Sequence, residues 1–300
     1  YKNYKHNKIN FDYEYIYNTI KKIIKFDESE YSLYIKDVIT ILFESEKVGN
    51  TFVDINQQIS DFELFKKGWP SSHLEALNKT GLIDSINSPI VLKKNKLSWI
   101  KWFKKFDEIE KKLLNKVNND KIKEFQFEEG NNLNKITDLL KYSDLILIEG
   151  GPGTGKTTLV TQVILNLIKN NSFMNIGIAA PTGKATGRMK ESFDKQLISI
   201  DKTFFIECQT LHSWIDNSRF NLEKLRFKLS EIDLLVIDEM SMVSFDIFES
   251  AINYISDSCK VILVGDSNQL PPINSYSIWN YIFERYEDNT FEKITIKLQK

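Results

Sequence analysis

The chain has 300 residues, 42% hydrophobic and 27% charged, with 40 Lys and Arg against 41 Asp and Glu for a net charge of -1. That describes a globular chain long enough for two domains, with no global basic field to draw in nucleic acid, although a local groove can be basic inside a balanced total. Runs such as ITILF, LILI and VILV are too short to span a bilayer, and Cys208, Cys259, His6, His73 and His212 are too scattered for a metal cluster, so the cysteines read as free thiols in a reducing cytoplasm.

The N-terminal stretch YKNYKHNKINFDYEY is basic but has no apolar core of a signal peptide, and a first residue of Tyr1 implies a piece of a longer protein. Apolar residues at three- and four-residue spacing predict helices over 11–26 and 32–47. TFVDI (51–55) reads as a short strand. SSHLEALNKTGLID (71–84) carries a Ser pair before a helical pattern and a Gly after it. LSWIKWFKKFDEIEKKLLNKV (97–117) reads as one long amphipathic helix with Trp99, Trp102, Phe103, Phe106, Ile109 and Leu113 on a core-facing side. Residues 1–117 are therefore expected to form a mainly helical domain, and the polar, turn-rich 118–132 a linker.

From residue 133 strands and helices alternate. Strands are expected at LILIE (145–149), NIGIAAP (175–181), DLLVIDE (233–239) and KVILVGD (260–266), with helices at 156–170, 184–194 and 244–256. Continuous apolar strands separated by helices imply a parallel sheet covered on both faces, an α/β lobe.

IEGGPGTGKTT (148–158) raises the chemical question. Gly150, Gly155, Lys156 and Thr157 match GxxxxGK[ST] between a predicted strand and a predicted helix, the context a P-loop NTPase requires. Glycine lets backbone approach phosphate oxygens, and a helix N-terminus supplies free amides. Gly150, Gly151, Gly153, Thr154, Gly155, Lys156, Thr157 and Thr158 are the candidate nucleotide cradle. Lys156 would reach the β- and γ-phosphates, and the Thr157 hydroxyl would ligate Mg²⁺. In LLVIDEMSMV, Asp238 would hold Mg²⁺ and Glu239 would polarise the attacking water. In VGDSNQLPPI, the Gln269 amide is suited to sensing a γ-phosphate or the lytic water. APTGKATGRM offers Thr182, Gly183 and Lys184, and QTLHSWI offers Thr210 and His212, for phosphodiester contact. Taken singly, these last residues read as well as ordinary structure.

The order GGPGTGKTT, PTGKATGRM, TLHSW, VIDEMSMV, VGDSNQLPP resembles the first motor lobe of superfamily 1 helicases, and its wording is most similar to the RecD-like helicases, the exodeoxyribonuclease V alpha-subunit family. The resemblance runs from about residue 130 to 300. It implies a RecA-like P-loop lobe over 133–300 and ATP-driven 5′-to-3′ movement on single-stranded DNA at processed double-strand breaks. It further implies ATP and Mg²⁺ as cofactors, with Lys156, Thr157, Asp238, Glu239 and Gln269 as the ATPase half-site. Thr182, Gly183, Lys184, Thr210 and His212 become the DNA track, and residues 1–117 a docking domain for RecB- and RecC-like subunits. Stand-alone RecD-like helicases share these motifs, and a P-loop switch or assembly subunit without helicase activity satisfies the nucleotide residues alone. Where such helicases carry an adenine-reading Gln in a Q-x-x-A setting, this chain reads GNNLNKITDLL, with Asn132 nearest. The sequence stops at EKITIKLQK, before the arginine expected from a second lobe. Arginines of that kind contribute about 10³- to 10⁵-fold in GTPases, so slow ATP turnover is expected of these 300 residues alone.

Overall fold

In a computed structural model, the structure describes residues 18, 20, 22, 28–56, 69–83, 88–93, 95–117, 131–170, 175–197, 205–220, 225–270, 272, 277–284 and 291–299. The helix expected over 11–26 and the linker expected over 118–132 lie largely outside them. The chain divides into two compact units, and the division falls between Glu108 and Ile109.

In the first unit, helix α1 (Glu28–Lys47) buries Ile35, Val38, Ile39 and Leu42, one face at helical spacing. Helix α2 (Ser71–Lys79) is capped by Pro70 rather than by the Ser pair, and it ends at Thr80 before Gly81, whose φ of +69° only glycine adopts freely. Strand β1 (Val53–Asp54) confirms the short strand at TFVDI.

The single helix expected over 97–117 is corrected. Residues Lys96–Trp99 form strand β3, paired antiparallel to β2 (Ile90–Lys93) from Ile90↔Trp99 to Lys93↔Lys96, and to β1. Leu97 and Trp99 are buried by two-residue alternation, and Ser98 Oγ donates to the Thr51 carbonyl at 2.6 Å. Asn95, at φ 63°, supplies the left-handed turn residue that joins the strands. Helix α3 starts only at Ile100 and runs to Asn115, burying Phe106, Ile109 and Leu113.

The second unit is built on six parallel strands in the order β6-β5-β7-β8-β4-β9. The elements are α4 (Asn132–Tyr142), β4 (Leu145–Gly150), α5 (Lys156–Asn170), β5 (Asn175–Ala180), α6 (Gly183–Leu197), β6 (Phe205–Thr210) and α7 (Leu211–Phe220), followed by β7 (Leu234–Ile237), α8 (Phe245–Tyr254), β8 (Lys260–Gly265), α9 (Ile278–Glu284) and β9 (Thr295–Leu298). Ile146, Ile148, Ile176 and Val236 share a core with Val160 and Ile164 of α5. The alternate residues Leu145, Leu147, Leu235 and Leu263 are equally buried, so both faces are covered. On that account the strands read as unbroken apolar runs. Strand β6 was not expected: FIECQT sits at the sheet edge, where Glu207 and Gln209 break the apolar run. Its pairing with β5, from Asn175↔Phe205 to Ala180↔Thr210, is what sets the TLHSW segment beside the PTGKA segment.

The margin of the sheet away from the P-loop is held by a buried cation. Lys116 Nζ donates to the carbonyls of Ser256, Asp257 and Cys259 at 3.3, 3.1 and 2.7 Å. Burial pushes its pKa down, opposed by Cys259, Asp144 and Asp257.

Candidate functional site

All the candidate groups except Asn132 lie at or after the carboxyl ends of parallel strands, where open α/β sheets bind ligands. β4 stops at Gly150 and α5 starts at Lys156, with Gly153 at φ 75° and Gly155 at φ 84° between them. A Cβ on Gly150 would lie 2.6 Å from Thr154 Oγ1, 3.0 Å from Leu298 Cβ and 3.1 Å from the Leu298 carbonyl, so β9 closes directly on the loop. Gly151 and Gly155 face open space instead. Thr154 Oγ1 braces the loop by donating to the Gly151 carbonyl at 2.9 Å. Lys156 Nζ arches back to donate to the carbonyls of Gly150 (2.5 Å) and Gly151 (2.9 Å). The bond from Leu159 N to the Gly155 carbonyl (2.9 Å) opens α5, and the amides before it are the free donors of a helix N-terminus. Thr158 is exposed on that first turn.

The strand β7 delivers Asp238, whose amide donates to the Ala179 carbonyl of β5 at 2.9 Å and whose side chain is 7% exposed. Burial raises the Asp238 pKa; the Glu239 amide (N to Oδ1, 2.8 Å), the Lys156 charge and the Thr157 hydroxyl pull it back down. Thr157, Lys156 and Asp238 are thus brought together. Glu239 sits at φ 53°, ψ 42°, a left-handed conformation costly for any residue with a Cβ. Its pKa is raised by burial and by Asp238, against Arg188 and Lys156. Arg188 lies on α6, and its charge opposes the upward shift at this carboxylate.

The left-handed turn at Glu239 feeds a 3-10 turn, Met240–Met242, which carries Ser241 round to the loop after β8. There Ser241 Oγ donates to Gln269 Oε1 at 3.3 Å. Ser267 Oγ in the same loop donates to Glu149 Oε1 at 2.5 Å, tying it to the strand that carries the P-loop. Neither contact was legible in sequence, because both partners are ordinary polar residues more than twenty positions apart.

The expected DNA residues cap two helices on adjoining strands. Thr182 Oγ1 accepts from Ala185 N (3.3 Å) at the start of α6, with Gly183 and Lys184 exposed on its first turn. Thr210 Oγ1 accepts from Ser213 N (3.2 Å) at the start of α7. Leu211 is buried, and His212 is exposed. Trp214 anchors α7, its Nε1 donating to the Ile178 carbonyl at 3.1 Å. Asn132 opens α4, with its neighbour Asn131 as the cap, Oδ1 accepting from Leu133 N at 3.1 Å. Eleven helical residues span about 16 Å, close to the length of β4.

A glycine-rich loop opening a helix and a buried acid, both at the carboxyl ends of parallel strands, define a P-loop NTPase fold, and a family model described as an AAA domain matches residues 134–275. The chain is 32% identical to the RecBCD enzyme subunit RecD of Buchnera aphidicola subsp. Schizaphis graminum, over 93% of this chain and 54% of that protein. It is also 32% identical to RecD of Buchnera aphidicola subsp. Acyrthosiphon pisum, over 71% of this chain and 39% of that one. The ATP-dependent RecD2 DNA helicase of Deinococcus radiodurans is 29% identical over 47% of this chain and 18% of its own length. The chain is thus similar to RecD proteins over most of its length, and it spans about half the length of the first of these relatives.

Proposed function

We propose that this chain carries the nucleotide-binding motor lobe of an ATP-dependent DNA helicase of RecD type. On this reading the lobe is residues 133–300, which move a single strand 5′ to 3′ during double-strand break processing. Residues 1–117 dock RecB- and RecC-like subunits of an exodeoxyribonuclease V. The observation that carries the reading is the convergence on one sheet edge of the P-loop, the Thr157–Asp238 pair and the capped N-termini of α6 and α7.

The residues fit magnesium ATP. Gly151 and Gly155 leave open space over the loop, Lys156 rests on carbonyls that it can leave for phosphate, and Asp238 is a buried carboxylate whose charge a divalent cation would neutralise. Thr157 and Asp238 would hold the metal, which when bound offsets charge on the phosphate oxygens. The loop amides and Lys156 orient the triphosphate. Glu239, its proton affinity raised by burial, is placed to take the proton of an attacking water. With its Oε1 accepting from Ser241 Oγ, Gln269 would have its amide N–H groups left to donate to a phosphate or to the water. Thr182, Gly183, Lys184, Thr210 and His212 would grip phosphodiester through hydroxyls, amides and one cation, and such contacts weaken as salt rises.

The test is ATP hydrolysis by the full-length protein with and without single-stranded DNA. Turnover should depend on the strand, and Lys156→Ala should remove it by at least about a hundredfold, as expected for a group aimed at developing phosphate charge. Turnover indifferent to DNA would overturn the helicase reading, and duplexes with a single 5′ or 3′ tail test the polarity.

A further inference from the structure

We infer that Ser241 is a positioning residue that fixes which end of the Gln269 side-chain amide faces the nucleotide. The inference rests on the proposed function, in which Gln269 meets the γ-phosphate or the attacking water. A glutamine amide has two chemically opposite ends, a carbonyl that accepts and an NH₂ that donates, and only the donating end suits an anion. Without a partner the amide turns over freely between them.

Ser241 supplies the partner. Ser241 is 1% exposed, and its hydroxyl donates to Gln269 Oε1 at 3.3 Å. A hydroxyl spent on the carbonyl leaves both N–H groups of Gln269 for the ligand side. The backbone at each end is held. Gln269 N donates to the Asp266 carbonyl at 3.2 Å and Asn268 N to Asp266 Oδ1 at 3.0 Å, with Asp266 itself buried. On the other side Met242 N donates to the Glu239 carbonyl at 2.9 Å, closing the 3-10 turn that presents Ser241. Because that turn starts at Glu239, the bond also links the residue that handles the water to the residue that reads the phosphate. A displacement of either loop then reorients both groups.

The experiment compares Ser241→Ala, Ser241→Thr, Gln269→Ala and the Ser241→Ala/Gln269→Ala double variant in the full-length protein, by DNA-stimulated ATP turnover. Ser241→Ala should lower kcat about five- to tenfold, the size of one net hydrogen bond, and move KM for magnesium ATP less than about twofold. Ser241→Thr, which keeps the hydroxyl, should recover most of that loss. The double variant should be no slower than Gln269→Ala alone, because a residue acting only through the amide has nothing left to act on. Unchanged kcat in Ser241→Ala, or losses that multiply in the double variant, would overturn the inference while leaving the motor reading intact. Unchanged turnover in Gln269→Ala would remove the sensing role and this inference with it. If Ser241→Ala does not fold, Ser241→Cys takes its place: its weaker donor should give an intermediate kcat at unaltered KM, and wild-type kcat there would overturn the inference.

Discussion

Replacing Gly150 by alanine tests how the P-loop is seated against the last strand. The new Cβ would sit 2.6 Å from Thr154 Oγ1, 3.0 Å from Leu298 Cβ and 3.1 Å from the Leu298 carbonyl. The hydroxyl can turn aside only by giving up its 2.9 Å bond to the Gly151 carbonyl. The Leu298 atoms belong to β9, registered against β4 by the pair Gly150↔Leu298, and they retreat only if the strand shifts. Overpacking of this kind costs about 1–3 kcal/mol. Against it stands the smaller unfolded-state entropy of alanine, worth about 0.4–1 kcal/mol in favour of the variant. The steric effect is the larger over most of that range, and a net loss of up to about 2.6 kcal/mol lowers Tm by up to roughly 10 °C for a unit of this size. Scanning calorimetry measures it directly, with Gly151→Ala as the control. A Cβ there meets nothing within 4 Å, so Gly151→Ala should melt with the wild type and lose affinity only for nucleotide, whose phosphates need that space. A Gly150→Ala protein that melts at or above the wild-type temperature would refute the close approach of β9.

Asp238→Asn should raise the Tm of the ligand-free protein while abolishing magnesium-dependent nucleotide binding. Burial lifts the Asp238 and Glu239 pKa values, so the folded state holds protons that the unfolded state has released. Stability therefore falls as pH rises from the ordinary carboxylate range through the raised values, at about 1.4 kcal/mol per unit of elevation, and the Asn variant should flatten that slope in urea melts. Lys116→Met should cost about 2–4 kcal/mol by leaving three carbonyls without their donor, read as a lower urea midpoint. The thiols should be inert in the native state: burial pushes Cys208 up to about 12 and Cys259 up to about 11, so a disulfide reagent at pH 8 should label neither until denaturant is added.

Different parts of this molecule were legible in sequence to different degrees, and the reasons are physical. Strands β4, β5, β7 and β8 are buried on both faces, so selection for apolarity acts on every residue and leaves an unbroken signal. Edge strand β6 is half-exposed along its length, and nothing in FIECQT distinguishes it from a loop. The hairpin β2–β3 was hidden for another reason: KLSWIKW satisfies a period of two and of nearly four at once, and the left-handed Asn95 decides between them. The P-loop was legible because its glycines answer a local backbone demand. Ser241 and Arg188 were not, because their roles depend on loops and helices meeting in space, information that no short window contains.

The site itself works against the fold that holds it. Glu239 occupies a left-handed conformation that costs on the order of 1–3 kcal/mol, and burial disfavours the charged form of Asp238. The bond from Asp238 N to the Ala179 carbonyl and the flanking strands, buried on both sides, hold that loop in place. A metal-bound triphosphate would remove much of the electrostatic part of the cost, since a divalent cation suits a buried carboxylate better than a proton does at neutral pH. Its departure would restore the cost. The loops free to respond are the ones Asp238 touches: α5 through Thr157, and, through Glu239 and Ser241, the segment after β8. Helix α6 carries Arg188, whose charge acts on Glu239, and its first turn carries Gly183 and Lys184 just after Thr182. On the proposed function, the charge that acts on Glu239 and the residues that would contact DNA stand about one turn of α6 apart, from Arg188 to Lys184.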